Sequence, residues 1–432
     1  MELTPQLKAP DSTASLLLRG YPYVSQHCRR LHSDAFRARL LGERVLCLSS
    51  REAAQLFYDE NYFVRANAVP KLIQDTLFGR GGVQGLDDEA HRHRKALFMR
   101  FMGPNHINEF IETLLHHFRD GIERWRTRDH VVLFDEVATV LCRAACDWCG
   151  VELPEDEMQA LTLDCLRRVD GFATLGPRMW QARRARRRSE QRLVPLIHQA
   201  RQAPAVGTPP RPVTAIAHHE DADGALLDAQ VAAVELLNLI RPIVAISTYV
   251  SFAALALHDY PDYRDWLTQN PEHAQWFAKE VRRYYPFTPL LGARARRSFR
   301  WNGISIEQGE LVLLDIYGLQ HDRRYWNEPQ RFWPERFREP QDERFVLIPQ
   351  GGGDFLHGHR CAGEWLTQRT LAALAHELST ADYLLPPQDL SFPLSRIPTR
   401  PRSGVVASFA SPARSARSKP REALTEPLAP QV

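Results

Sequence analysis

Residues 351–365, GGGDFLHGHRCAGEW, place three consecutive glycines, two histidines and one cysteine ahead of a helical pattern that runs from Gly363 to about Leu378. Glycines let the backbone pass close to a flat partner without side-chain clash, and Cys361 falls where the helix begins. Free amides and the helix dipole at such an end favour a thiolate. The sulfur can then be a nucleophile, a soft metal ligand or a buried filler. A nucleophile needs a base, and His357 and His359 are too close in sequence to be assigned that part. Zinc needs three or four ligands, and no closed set suggests itself. Haem iron needs only one protein thiolate, with a basic side chain such as His359 or Arg360 near a propionate. On this stretch alone, the structural and the ligand readings both stay open.

The remainder reads as a soluble, mainly helical protein. Of 432 residues, 44% are hydrophobic and 25% charged, and the net charge of +3 makes no electrostatic case for nucleic acid or a membrane surface. The run RRARRR at 183–188 lacks interleaved aromatics and is followed by Ser189, Glu190 and Gln191, so it reads as a solvated basic face. No apolar stretch is expected to span a bilayer, no signal peptide is expected at the start, and seven scattered cysteines suit a reducing cytoplasm. Helices are expected at 51–58, 106–128, 134–149, 155–172, 228–257 and 271–284, and strands near Leu46, at 290–303 and at 311–315. Residues 181–222 read as a basic helix start followed by an exposed loop. Cys142, Cys146 and Cys149 have the C-x3-C-x2-C spacing of a four-iron cluster, but their segment reads as helix and the βα repeats of such enzymes are absent. Residues 1–410 are expected to form one domain, and 411–432 a disordered tail.

Two further features change the weight of Cys361. Glu280 and Arg283 stand three apart on one helical face, and "HDRRYWNEPQRFWPERF" carries Arg331, Pro334 and Arg336 in an aromatic-rich meander. An isolated E-x-x-R is weak. In this order, helix, meander and glycine-loop cysteine resemble the cytochrome P450 superfamily. The resemblance implies a mainly alpha fold with a minor beta region, in a small beta-containing lobe and a large helical lobe. It also implies haem b between the proximal cysteine loop and a long distal helix, with Cys361 as the iron ligand and Glu280, Arg283 and Arg336 as structural residues. Position 362 is alanine where the family very often has proline, which removes rigidity but no ligand.

The long helix contains "LLNLIRPIVAISTYV", with Arg241 and Pro242 inside an apolar run. Proline there costs a hydrogen bond and usually kinks the helix. A buried guanidinium is expensive unless an anion meets it. Arg241 could pair with an internal carboxylate, lie at a helix end, or receive a carboxylate substrate. Ordinary P450s carry an acid followed by threonine here. The Arg241–Pro242 pair instead resembles that of bacterial fatty-acid peroxygenases, as do "LLLRGY", "ARLLG", "AAQLFYDE", "AHRHRK", "VRRYYPF" and "PQGGG". That branch implies hydroxylation of long-chain fatty acids at the alpha or beta carbon, using hydrogen peroxide and no redox partner. The carboxylate held by Arg241 would serve as general acid–base.

Alternatives are decarboxylation to a terminal alkene, a reductase-coupled monooxygenase, and a carrier without turnover. By the same resemblance Gln84 falls where decarboxylating relatives tend to carry histidine. Phe78, Val169 and Leu290 are expected as pocket walls, Ala245 as the residue leaving room over the iron, and His91, Lys95 and His359 as propionate contacts. Chain length, regiochemistry and oligomeric state are left open.

Overall fold

The structure is a computed structural model and describes residues 4–172, 174, 176–202 and 210–409. Eight helices frame the site: α1 (Asp88–Met99), α2 (Pro104–Trp125), α3 (Leu133–Cys149), α4 (Glu155–Asp170), α5 (Pro177–Gln202), α6 (Ala229–Asp259), α7 (Pro271–Tyr284) and α8 (Glu364–Thr380). A five-stranded sheet is built from β1 (Ala35–Leu40), β2 (Glu43–Leu48), β3 (Phe63–Val64), β4 (Leu290–Ala295) and β5 (Leu311–Asp315), in the order β1-β2-β5-β4-β3. The β2–β5 pair is parallel, with Leu46 opposite Val312, and the others are antiparallel. The sheet has its own apolar core around Leu46, Phe57, Val312 and Leu314. The helical core is larger and includes Phe110, Leu141, Leu237, Val244 and Leu371.

α6 is the axis of the helical part and packs against α3, α4, α5 and α8. Asp228 caps it by accepting from the Gln230 amide at 2.8 Å. Every residue from 232 to 257 except Pro242 is buried, as a helix apolar on all sides must be. Its length and composition would suffice to cross a bilayer, which corrects the expectation that no stretch is long and apolar enough; its most apolar window is 94% buried inside the protein. α6 is therefore a core helix. It continues unbroken through Pro242, whose missing N–H leaves the Asn238 carbonyl without its helical donor.

Two other expectations are corrected. α5 continues to Gln202 through Pro195, and Pro212–Ala217 is a short helix inside the expected loop, whose residues 203–209 lie outside the described ones. The arginine run is only partly solvated: Arg186 pairs with Glu190 at 2.9 Å and Arg188 with Asp164, while Arg184 and Arg187 are exposed. The segment 411–432 also lies outside the described residues. Cys142, Cys146 and Cys149 are buried on α3 within the helical core, and Cys142 and Cys146 hydrogen-bond each other.

Candidate functional site

On one side of α6, the loop before α8 presents Cys361. Gly351 and Gly353 adopt φ of 92° and 79°, and a Cβ on Gly353 would come within 2.8 Å of the Tyr58 Cβ, so the loop lies flat on Tyr58. The Cys361 amide donates to the Gln350 carbonyl at 3.0 Å. From α1, Lys95 Nζ donates to the carbonyls of Gly358 and Arg360, the second at 2.6 Å. Two of its three N–H donors thus go to the cysteine loop. Burial pushes the Lys95 pKa down to about 8. Burial also pushes the Cys361 thiol up, outweighing the Gly363 amide and the Lys95 and Arg282 cations that favour the thiolate.

Beside this loop, His91 and His359 stack with ring centroids 3.8 Å apart, and His359 Nε2 lies 3.3 Å from Asp87 Oδ1. Ligand atoms of Glu60, His91 and His359 all fall within 4.8 Å of one another. Arg65, which sequence reasoning missed, joins them. Its Nη2 donates to the Phe57 carbonyl at 3.2 Å, while Nη1 is buried without a partner. The cation acts on both imidazoles. Three donors at this spacing could gather a metal ion, but a guanidinium with an unused N–H beside them favours an anionic group.

Behind the loop, Arg283 of α7 donates to Glu280 at 2.7 and 2.8 Å and to the carbonyls of Gln320 and Pro329 at 2.8 and 3.0 Å. Arg336 Nε is 3.2 Å from the same carboxylate, and the Trp333 amide donates to it at 2.8 Å. The triad ties α7 to the meander from within the core.

Arg241 lies on α6, only 6% exposed. Its Nη2 reaches Asn238 Oδ1 at a long 3.4 Å and its Nε has no partner. Among the described residues no carboxylate lies within ion-pair reach, so neither an internal counter-ion nor a helix end accounts for it. Burial, then the neighbouring Arg168 cation, push its pKa down to about 9, while the Cys165 and Cys361 thiols act the other way. Asn238 Nδ2 donates to Glu235 Oε2 at 2.8 Å and to Gln84 Oε1 at 3.2 Å. Glu235 Oε1 accepts from Arg94 at 2.6 Å and from the Val83 amide at 2.9 Å. This chain of bonds fixes the Asn238 amide: its nitrogen faces Glu235 and Gln84, and its oxygen faces Arg241. Gln84, with its oxygen engaged, turns its own NH₂ away from Asn238. Glu235, Asn238 and Arg241 recur every three residues in "ELLNLIRP", a one-face spacing that could have revealed the network.

The expected pocket walls come from separate elements. Phe78 meets Phe172 edge-on at 6.0 Å. Val169 is half-buried on α4, and Leu290 is half-buried in β4 opposite Asp315. Ala245, one turn past Arg241, is 5% exposed.

Residues 268–378 match the cytochrome P450 family model. Cytochrome P450EX alpha (CYP152N1), solved with myristic acid, is 39% identical over 94% of this chain and 99% of its own, with a TM-score of 0.90. The chain belongs to the cytochrome P450 family. Cytochrome P450SP alpha (CYP152B1) in complex with (R)-ibuprofen is 41% identical over 93% of this P450 and 98% of its own chain, with a TM-score of 0.89. An OleT variant in complex with arachidonic acid is 32% identical over 94% and 98%, with a TM-score of 0.91. These neighbours are the branch that the Arg241–Pro242 motif resembles. Human cytochrome P450 3A5 is 26% identical over 149 residues, and the match spans only 30% of that relative's length.

The residues of this P450 fit a haem. A half-buried thiol on a glycine loop offers one soft ligand. Arg65, with its orphaned Nη1, and the His91–His359 stack offer donors to anionic carboxylates.

Proposed function

We propose that this P450 hydroxylates long-chain fatty acids at the alpha or beta carbon with hydrogen peroxide. The observation that carries the reading is Arg241, a guanidinium buried in mid-helix with no carboxylate partner among the described residues. Such a group is costly unless an anion completes it. A fatty-acid carboxylate fits its fork in charge and geometry. The solved neighbours, described with myristic acid, (R)-ibuprofen and arachidonic acid, are themselves bound to carboxylic acids.

Haem b held by the Cys361 thiolate supplies the oxidising chemistry, and Arg65, His91 and His359 are the residues that would hold its carboxylates. Lys95 keeps the cysteine loop in shape through its two carbonyls. Arg241 fixes the acid head, which limits the carbons within reach to those next to the carboxylate. The carboxylate so held is the base that takes a peroxide proton and the acid that returns it. No reductase or nicotinamide is needed, because peroxide carries both the oxygen and the oxidising equivalents. Gln84 presents a carboxamide, which does not exchange protons readily, and this favours hydroxylation over loss of the carboxylate. Ala245 keeps the turn after Arg241 small. Phe78, Val169 and Leu290 wall the chain. Seven free thiols support a reducing, cytoplasmic setting.

The test is product analysis of the haem-loaded protein with a long-chain saturated fatty acid and hydrogen peroxide alone. 2-Hydroxy or 3-hydroxy acids are expected. Arg241→Met is expected to lower kcat/KM by about 100-fold or more, since it removes charge-assisted bonds of roughly 1.5–3 kcal/mol each. A dominant terminal alkene would move the assignment to decarboxylation. Absence of turnover in protein with thiolate-ligated haem would refute it.

A further inference from the structure

The outer side of the α4–α5 pair is basic out of proportion to a chain whose net charge is only +3. Trp180, Arg184, Arg187 and Gln191 stand at i, i+4, i+7 and i+11 of α5, which is one helical face, and all four are exposed. Their neighbours Arg183, Arg186 and Arg188 each face a carboxylate. Among the described residues Arg184 and Arg187 have none within ion-pair reach.

The carboxylates that tie this patch together lie beneath it. Asp164 of α4 accepts from Arg188 Nε at 3.2 Å and faces Arg192 and Arg167 at 3.6 and 3.7 Å. Its side chain is 2% exposed, while those of Arg188 and Arg167 are 44% and 48% exposed. Asp75 accepts from Arg80 at 2.9 and 3.0 Å and faces Arg183 at 3.9 Å. It is 17% exposed, against 76% for Arg80. Each acid is covered by its own partners, so the surface turned outward is guanidinium. Arg183 lies 5.8 Å over the Trp180 ring, and Arg188 is one turn past Arg184, so both clusters join the α5 stripe. Leu163, one turn before Arg167, and Trp180 add exposed apolar area. The patch ends where Glu157 faces Arg192 at 3.7 Å.

We propose that this face of α4 and α5 docks on an anionic lipid bilayer. Lipid phosphates meet the arginines. Trp180 takes the boundary between headgroups and acyl chains that tryptophan favours, and Leu163 adds apolar contact. The phosphates of a nucleic acid would also meet the arginines, but one tryptophan beside a leucine, with no row of stacking aromatics, fits lipid better. The face borders the segment bracketed by Asp75 and Arg80 that carries Phe78, and Phe78 meets Phe172 just past the end of α4. The surface stands apart from the fatty-acid reading. Only its use rests on that reading: long-chain acids partition into bilayers, and docking seats the protein where they are held.

The experiment is co-sedimentation of the haem-loaded full chain with vesicles, and it involves no turnover. One set holds phosphatidylglycerol and phosphatidylcholine in equal parts, the other phosphatidylcholine alone. The parent is expected to bind the anionic set at about 0.1 M salt and the neutral set far less. It should be released at about 1 M salt, where the screening length falls from about 10 Å to about 3 Å. The double variant Arg184→Gln/Arg187→Gln removes two charges that hold no internal carboxylate, so its thermal melt should match the parent's. At about fivefold per arginine, it is expected to bind the anionic vesicles roughly 10- to 30-fold more weakly. Trp180→Ala is expected to weaken binding by about 10-fold. Absent binding to the anionic set, binding that ignores lipid charge, or either variant binding like the parent overturns the proposal. Binding of a mixed-sequence DNA duplex in place of the vesicles, lost in the double variant, would assign the face to nucleic acid and overturn it as well.

Discussion

Replacing Asn238 with leucine removes the hinge of the distal network at nearly constant volume. Three contacts go: donation to Glu235 at 2.8 Å, donation to Gln84 at 3.2 Å, and acceptance from Arg241 at 3.4 Å. Glu235 keeps Arg94 and the Val83 amide on its other oxygen, so one buried acceptor is left bare, at a cost of about 1–3 kcal/mol. With an unfolding entropy of roughly 2.1 cal/mol/K per residue, a chain of this size should lose only about 1–3 °C in Tm. The functional cost is larger. Gln84 and Arg241 each lose the bond that aims them, and two such bonds of about 1 kcal/mol correspond to a 5- to 30-fold fall in kcat/KM. The alpha-to-beta product ratio should shift as well, because the acid head is no longer fixed. Steady-state turnover with fatty acid and peroxide, product separation by mass and a thermal melt test this together. A variant with the expected Tm loss, kcat/KM within twofold of the parent and an unchanged product ratio would refute the network as a positioning device.

Two further outcomes follow from the charges. Arg241 must be protonated to hold a carboxylate, and its pKa in the free site is lowered to about 9; a depressed base loses its charge as pH rises through that value. Fatty-acid affinity should be flat from about pH 6 to 8 and weaken about tenfold per unit above about 9, and titrations that stay flat to about pH 10.5 would contradict this. Glu280→Gln should destabilise the fold by about 3–5 kcal/mol, because it leaves the 0%-exposed Arg283 without its counter-charge; denaturant unfolding of the haem-loaded variant reads the loss, and a change under about 1 kcal/mol would remove the triad as a lock.

What could be read from the sequence was local. The boundaries of α7 were legible because Asn270 and Pro271 mark its start and the Asn270 side chain caps the Glu272 amide at 2.9 Å. Cys361 and Arg241 stood out because each breaks the pattern around it. α5 runs on through Pro195 because packing of its Leu193 and Ile197 in the core carries it to Gln202. Arg65 and Arg168 were invisible for a different reason. In "YFVRANAVP" and "LDCLRRVD" an arginine looks like ordinary solvated surface, and only tertiary packing removes the water. The hold of Lys95 on the cysteine loop is equally hidden, since the carbonyls it reaches lie 263 and 265 residues away.

The distal helix does contain an acid, and its placement argues for where the catalytic proton comes from. The buried stretch 232–257 holds two charged residues, Glu235 and Arg241. Glu235 is 0% exposed and wholly committed: Arg94 and the Val83 amide occupy one oxygen and Asn238 the other. Burial raises its pKa, while Asn238, Arg94 and Val83 hold it the other way. A carboxylate engaged on both oxygens and without exposed surface is poorly placed to relay protons. The charge left open on α6 is Arg241's, and it is positive. A cation does not serve as the base for peroxide, but it can import one. The fold has spent its own acid on orienting Asn238, and through Asn238 the guanidinium and Gln84, so that the acid–base group arrives with the substrate.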